Sequence, residues 1–205
     1  GVTKLSTPMV SANNRYQVLP GYDTLNGLFS NATASKSGGL DVYGWLARDG
    51  RGRWLIRGER LEHAATLEFI LRNYQPDERG AWFFQNGPQR VFVSLATAPL
   101  TGRLMPDGRV RTGTPADFQP RQAFLTPDGD CYLLDATAHA ALLDGADLAA
   151  VSFINAQGRL ATDADWEHGP GPGWQLRAGR FCLPLQTVSQ EAIPMQCGFL
   201  RQPYP

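Results

Sequence analysis

The sequence predicts an α+β protein made mainly of antiparallel β-hairpins, and three observations support this. The 205 residues include 22 glycines and 15 prolines spread along the whole chain, which implies many turns rather than one unstructured tail. Four Asp-Gly pairs (Asp49-Gly50, Asp107-Gly108, Asp128-Gly129, Asp144-Gly145) and two Asn-Gly pairs (Asn26-Gly27, Asn86-Gly87) are residue types that tolerate the positive φ of hairpin turns. Apolar or aromatic runs flank several of these pairs, and a clear helical period occurs in one place.

Taken in order, residues 1–39 form an N-terminal segment that reads as partly extended or flexible. Ser30–Gly39 is small and polar, a loop by composition, while Leu19, Tyr22, Leu25, Leu28 and Phe29 are apolar enough to dock on a core. A first α+β half spans 40–115. In it Arg53–Arg57 reads as a strand with Trp54 and Ile56 on one face and Arg53 and Arg57 on the other. Residues 62–74 read as a helix with Leu67, Ile70, Leu71 and Tyr74 at helical spacing, stopped by Pro76. Ala81–Gln85 and Gln89–Leu95 form a hairpin around Asn86-Gly87-Pro88. A second half spans 116–205. Hairpins are expected at 104–110 and 122–134, a short helix over 137–143, strands at 149–154 and 159–162, a loop at Gly169–Gly173, and late strands at 175–185 and 191–200. A turn, a strand, a short helix and further strands occur from about 49 to 95 and again from about 128 to 162, so the halves read as similar.

Composition excludes several classes. Lys+Arg and Asp+Glu both number 19, so no large basic field for nucleic acid or a membrane surface is expected. Cys131, Cys182 and Cys197 fit no metal-binding spacing, and an odd count argues against a disulfide framework; they read as reduced and mostly buried. No apolar run is long enough to span a membrane and no signal peptide is visible, so a cytoplasmic location is expected. There is no phosphate-binding GxxxxGK[ST] loop, no GxGxxG, no GxSxG elbow and no histidine spacing of a metal site, so no cofactor and no metal are expected.

The candidate site residues lie in the first half. Arg48, Arg51, Arg53, Arg57 and Arg60 cluster about one strand and would suit an anionic group. With Gln85, Asn86, Gln89 and Arg90 of the hairpin, Arg53 and Arg57 form the expected recognition surface of a ligand-sensing or protein-interaction module without catalytic activity. Its partner would be a small anionic ligand or another protein, and its many strand edges allow a homodimer. Two other readings compete. His63, placed on the apolar stripe of the helix, would act as an acid or base with Glu62, Asp77 or Glu78 in an enzyme. Trp82 and Phe84 beside Arg90 would stack single-stranded nucleic acid, a reading that neutral charge disfavours.

The run Asp49–Leu95, centred on GRWLIRGERLEHAATLEFILRNYQPDERGAWFFQNGPQRVFVSL, resembles uncharacterised proteobacterial families of about this length. It is more distantly similar to domains of unknown function with two small α+β halves and repeated motifs. The resemblance implies that fold and a bacterial origin, suggests signalling or ligand sensing by analogy, and carries no catalytic residues to transfer.

Overall fold

The computed structural model describes residues 40–205, so the expectations for residues 1–39 lie outside the described residues. The chain divides into two units, one ending at Thr97 and completed by Phe199–Pro205, the other spanning Ala98–Gly198.

The first unit is a six-stranded sheet. Strands β1 (Asp41–Arg48), β2 (Trp54–Ile56) and β3 (Glu59–Arg60) form a meander, helix α1 (Ala64–Arg72) follows, and β4 (Tyr74–Pro76), β5 (Trp82–Asn86) and β6 (Gln89–Leu95) form a second meander. The order is β3-β2-β1-β6-β5-β4, with β1 and β6 parallel and every other pair antiparallel. Alternation along β5 sends Trp82 and Phe84 to one face and Phe83 to the other, and both faces are covered. Phe69 of α1 packs edge-on to Phe84, with ring centroids 5.6 Å apart. On the opposite face Ala81, Phe83 and Phe92 form a cluster with Tyr43 and Leu200, and Tyr43 stacks flat on Phe92 at 4.7 Å. The C-terminal segment is tied there by backbone bonds from Leu200 N–H to the Gly80 carbonyl (2.9 Å) and from Leu95 N–H to the Arg201 carbonyl (2.8 Å).

The second unit is an eight-stranded sheet of order β12-β13-β14-β9-β10-β11-β7-β8. Its strands are β7 (Leu100–Leu104), β8 (Val110–Arg111), β9 (Pro120–Leu125), β10 (Cys131–Asp135), β11 (Ala140–Leu143), β12 (Ser152–Ile154), β13 (Gln175–Ala178) and β14 (Phe181–Thr187). The pairs β9–β14 and β11–β7 are parallel. A 3-10 turn at Gly145–Ala150 precedes β12, helix α2 (Asp163–His168) lies between β12 and β13, and helix α3 (Ile193–Cys197) follows β14. The sheet curls until the β7–β8 and β13–β14 turns meet, where Arg180 N–H bonds to the Gly108 carbonyl at 3.0 Å. A Cβ on Gly179 would stand 2.8 Å from Gly108 Cα, so this approach requires glycine.

The chain is thus mostly β-sheet with few helices, in keeping with the α+β expectation. Several boundaries differ. The division falls at 97/98 rather than 115/116, because β7 pairs with β11 and joins the second sheet. The expected helix 62–74 is shorter, since Asn73 caps it through its side-chain bond to the Phe69 carbonyl and Tyr74 is already paired with Phe84 in β4. The expected helix over 137–143 is a turn followed by β11. Asp135 Oδ1 accepts from the backbone of Thr137 and His139, and the apolar run Ala140–Leu143 becomes an inner strand between β10 and β7. The late strand 191–200 is helical instead, with Pro194 in its first turn. Residues 159–162 contribute one bridge, Ile154 to Leu160, rather than a strand.

Candidate functional site

The arginine and amide residues expected to recognise a ligand share one sheet but do not converge. Arg48 of β1 pairs with Trp54, whereas Asp41, at the other end of β1, pairs with Arg90. Arg53 therefore lies at one end of the sheet and the Gln85–Arg90 hairpin turn at the other. Arg57 is not on a shared face with Arg53; it sits past the end of β2 at φ 50°, with its guanidinium 4.6 Å from the Trp45 ring centre.

Each of these side chains is engaged locally. Arg53 bonds Asp49 at 2.6 Å. Burial pushes the Asp49 carboxyl up, but the backbone and side-chain bonds from Arg53, with the backbone of Arg51, hold it below the usual carboxylate range. Arg90 grips Asp41 with two bonds of 2.9 and 2.7 Å and lies over the Phe83 and Phe92 rings. Gln85 bonds the Gly87 and Gln89 carbonyls, and the Asn86 and Gln89 amides bond each other at 3.0 Å in the interior. Arg48 is buried, bonded to the Gly52 carbonyl at 2.9 Å and packed over Trp54. Burial lowers its guanidinium pKa and, in the same place, raises that of the Tyr74 hydroxyl.

The acid/base set is also dispersed. His63 is exposed and is the N-cap of α1, not part of its apolar stripe: its Nδ1 accepts from Thr66 N–H at 3.2 Å and pairs with the Thr66 hydroxyl at 2.9 Å. Asp77 is the hub of a turn, accepting from the backbone N–H groups of Arg79 and Ala81. Glu62 and Glu78 are exposed. Among the described residues no carboxylate bonds to His63. Trp82 and Phe84 are buried at 2% and 0% exposure, so they present no face to a base. Cys182 is exposed, contrary to expectation, whereas Cys131 and Cys197 are buried. Burial, with a smaller push from Asp130, raises the Cys131 thiol to about 12, and burial alone raises Cys197 to about 11. Among the described residues no three His, Cys, Asp or Glu side chains converge to hold a metal, and no helix is long and apolar enough to cross a membrane.

The second unit contains a pocket of about 740 Å³, a volume typical of small-molecule sites. Its lining is mostly apolar: Leu125 and Pro127 at the β9–β10 turn, Leu148 of the 3-10 turn, Phe153 of β12, Trp166 and Pro170 at α2, and Val188 after β14. Thr126, Thr187 and Ser189 add hydroxyls. No histidine, carboxylate or cysteine lines it.

A capping box positions the Trp166 wall. Thr162 Oγ1 accepts from Asp165 N–H at 3.2 Å, and Asp165 Oδ2 accepts from Thr162 N–H at 2.8 Å. Asn155 also donates to Asp165 Oδ2 at 3.1 Å, linking α2 to the end of β12. The Thr162 backbone bond, then the Asn155 amide, hold the Asp165 carboxyl below the usual range. Gly169, at φ 82°, ends the helix. Trp166 packs edge-on between Phe153 and Trp174, each 5.1 Å away, and remains 39% exposed. Sequence reasoning missed this site. The sequence cue was Thr162 three residues before Asp165, a capping box leading into Trp166.

A comparison with curated proteins finds no match. Two solved structures are similar to this chain. A DUF1285 family protein from Shewanella baltica OS155 shows 18% identity and a TM-score of 0.40, covering 51% of this chain and 87% of its own. A DUF1285 family protein from Silicibacter pomeroyi DSS-3 shows 16% identity and a TM-score of 0.46, covering 79% of this chain and 96% of its own. The family model DUF2944, described as "Protein of unknown function (DUF2946)", matches residues 39–204, and the chain belongs to that family.

Proposed function

We propose that this protein is a binding module without catalytic activity and that its ligand occupies the aromatic pocket of the second unit. The observation that carries this reading is Trp166, a large ring held partly exposed by a capped helix over an apolar pocket.

The reading includes the two units as copies of one design, three strands, a helical element and three more strands. The strand orders β3-β2-β1-β6-β5-β4 and β11-β10-β9-β14-β13-β12 support it, with the parallel pair at the centre of each. So do matching turns. Asp49 N–H bonds the Arg53 carbonyl as Thr126 N–H bonds that of Asp130, and Ala96 bonds Arg48 as Val188 bonds Leu125. Asp77 and Asn155 each accept from two backbone N–H groups of their own turn. On this correspondence Leu125 stands where the first unit has buried Arg48 against Trp54. The direct β4–β5 turn is replaced by a longer connection that carries α2 and Trp166. The second copy has Leu125 and Cys131 in place of the Arg48 and Trp54 pair, and Leu125 and the added segment with Trp166 line the pocket.

The test is a thermal-shift screen of apolar and amphipathic metabolites. A binder at about 100 times its Kd should stabilise the protein by about 2.7 kcal/mol. The shift should vanish in Trp166→Ala and persist in Arg53→Ala and Arg90→Ala. A shift lost in the arginine variants and kept in Trp166→Ala would return the site to the first unit.

A further inference from the structure

We infer that the occupant of the pocket is a cationic amphiphile, a small molecule with an apolar body and an ammonium or guanidinium head. This rests on the reading of the pocket as the ligand site. Most of the lining residues fall in three stretches of chain, 125–129, 166–170 and 187–189. Asp128 lies between wall residues Pro127 and Gly129, Glu167 follows wall residue Trp166, and Asp130 and Glu191 come one and two residues after wall residues Gly129 and Ser189. The same neighbourhood in sequence holds no lysine or arginine, and His168 is its one base. Asp128, Glu167 and Glu191 are exposed, and among the described residues none of them takes part in an ion pair. An apolar hollow is therefore bordered by uncompensated negative charge, although the chain as a whole is neutral.

The two halves of the ligand follow from the two parts of the site. The apolar body replaces water against Leu125, Phe153 and Val188, where burial of carbon is favourable. The head stays at the rim, where a cation is attracted by the carboxylates, an anion is repelled and a neutral head gains little. A cation there also meets the partly exposed Trp166, the aromatic ring that attracts cations best.

Calorimetric titration of the full chain with three octyl compounds below their micelle concentrations tests this: octyltrimethylammonium, octyl glucoside and octanoate. The expected order is cation, then neutral, then anion, with about a tenfold preference for the cation over the glucoside. That preference should shrink as salt is raised. It should fall to about threefold or less in Asp128→Asn/Glu167→Gln, while glucoside binding by that variant stays unchanged. Saturable binding lost in Trp166→Ala but with no preference for the cation would overturn the charge assignment and leave the pocket reading standing. Binding of none of the three, or uptake unaffected by Trp166→Ala, would overturn both. A dimer by sedimentation that Trp166→Ala converts to monomer would also overturn both, and assign the pocket to a second copy of the chain.

Discussion

Asp165 shows how much one side chain can organise. It accepts from Thr162 N–H and the Asn155 amide, and these bonds hold its carboxyl below the usual range. A group depressed in the folded state stabilises it above the unfolded pKa and stops doing so as pH falls through the folded value. The α2 wall should therefore loosen below about pH 4, the ordinary range for aspartate. Tryptophan emission should report a reversible acid step that precedes global unfolding. Asp165→Asn should abolish the step, and a step unchanged in that variant would show that another carboxylate controls the wall. The contrast with Arg90 is instructive. Its two bonds to Asp41 make it part of the sheet's first rung, so the residue type that suggested a ligand site has a role in the fold.

Among the elements, α1 is the most legible from sequence, except at its start. The apolar stripe identifies a helix, but His63 falls one residue before it and becomes its cap. His63→Ala should cost about 1 kcal/mol, the usual effect of losing an N-cap side chain, and His63→Asp should restore most of it. Urea denaturation monitored by circular dichroism measures both. A full loss of stability in His63→Asp would argue for a role beyond capping. The segment 137–143 makes the opposite point. Alanine and leucine favour a helix in isolation, yet the strands on either side satisfy the backbone bonds of Ala140–Leu143. Short apolar runs carry no period long enough to separate the two outcomes.

At the scale of the molecule, the first unit is completed by residues distant in sequence. Leu200 covers the Ala81, Phe83 and Phe92 cluster, Phe199 is buried, and Arg201 bonds the Leu95 and Ala96 carbonyls. Deleting 199–205 should destabilise the first unit by about 3–5 kcal/mol, the scale of losing large buried side chains, and leave the second near its original stability. Calorimetry should then show two separate transitions, with hydrogen exchange assigning the earlier one to β1–β6. A single transition at the original temperature would mean that the tail contributes nothing to the first unit.

The sequence by itself determined the hairpins at Asn86-Gly87, Asp107-Gly108 and Asp128-Gly129 and a helix within 62–74. Each follows from turn chemistry or periodicity within about a dozen residues. Tertiary structure decided what depends on pairing between distant segments. It placed β7 in the second sheet, brought β14 beside β9, and drew Leu125, Phe153, Trp166 and Val188 around one pocket. Those four residues are far apart in the chain and share no period, so nothing local marks them as neighbours. They meet because strand order, which is set by long-range backbone bonds and by which faces must be buried, folds their turns to the same place.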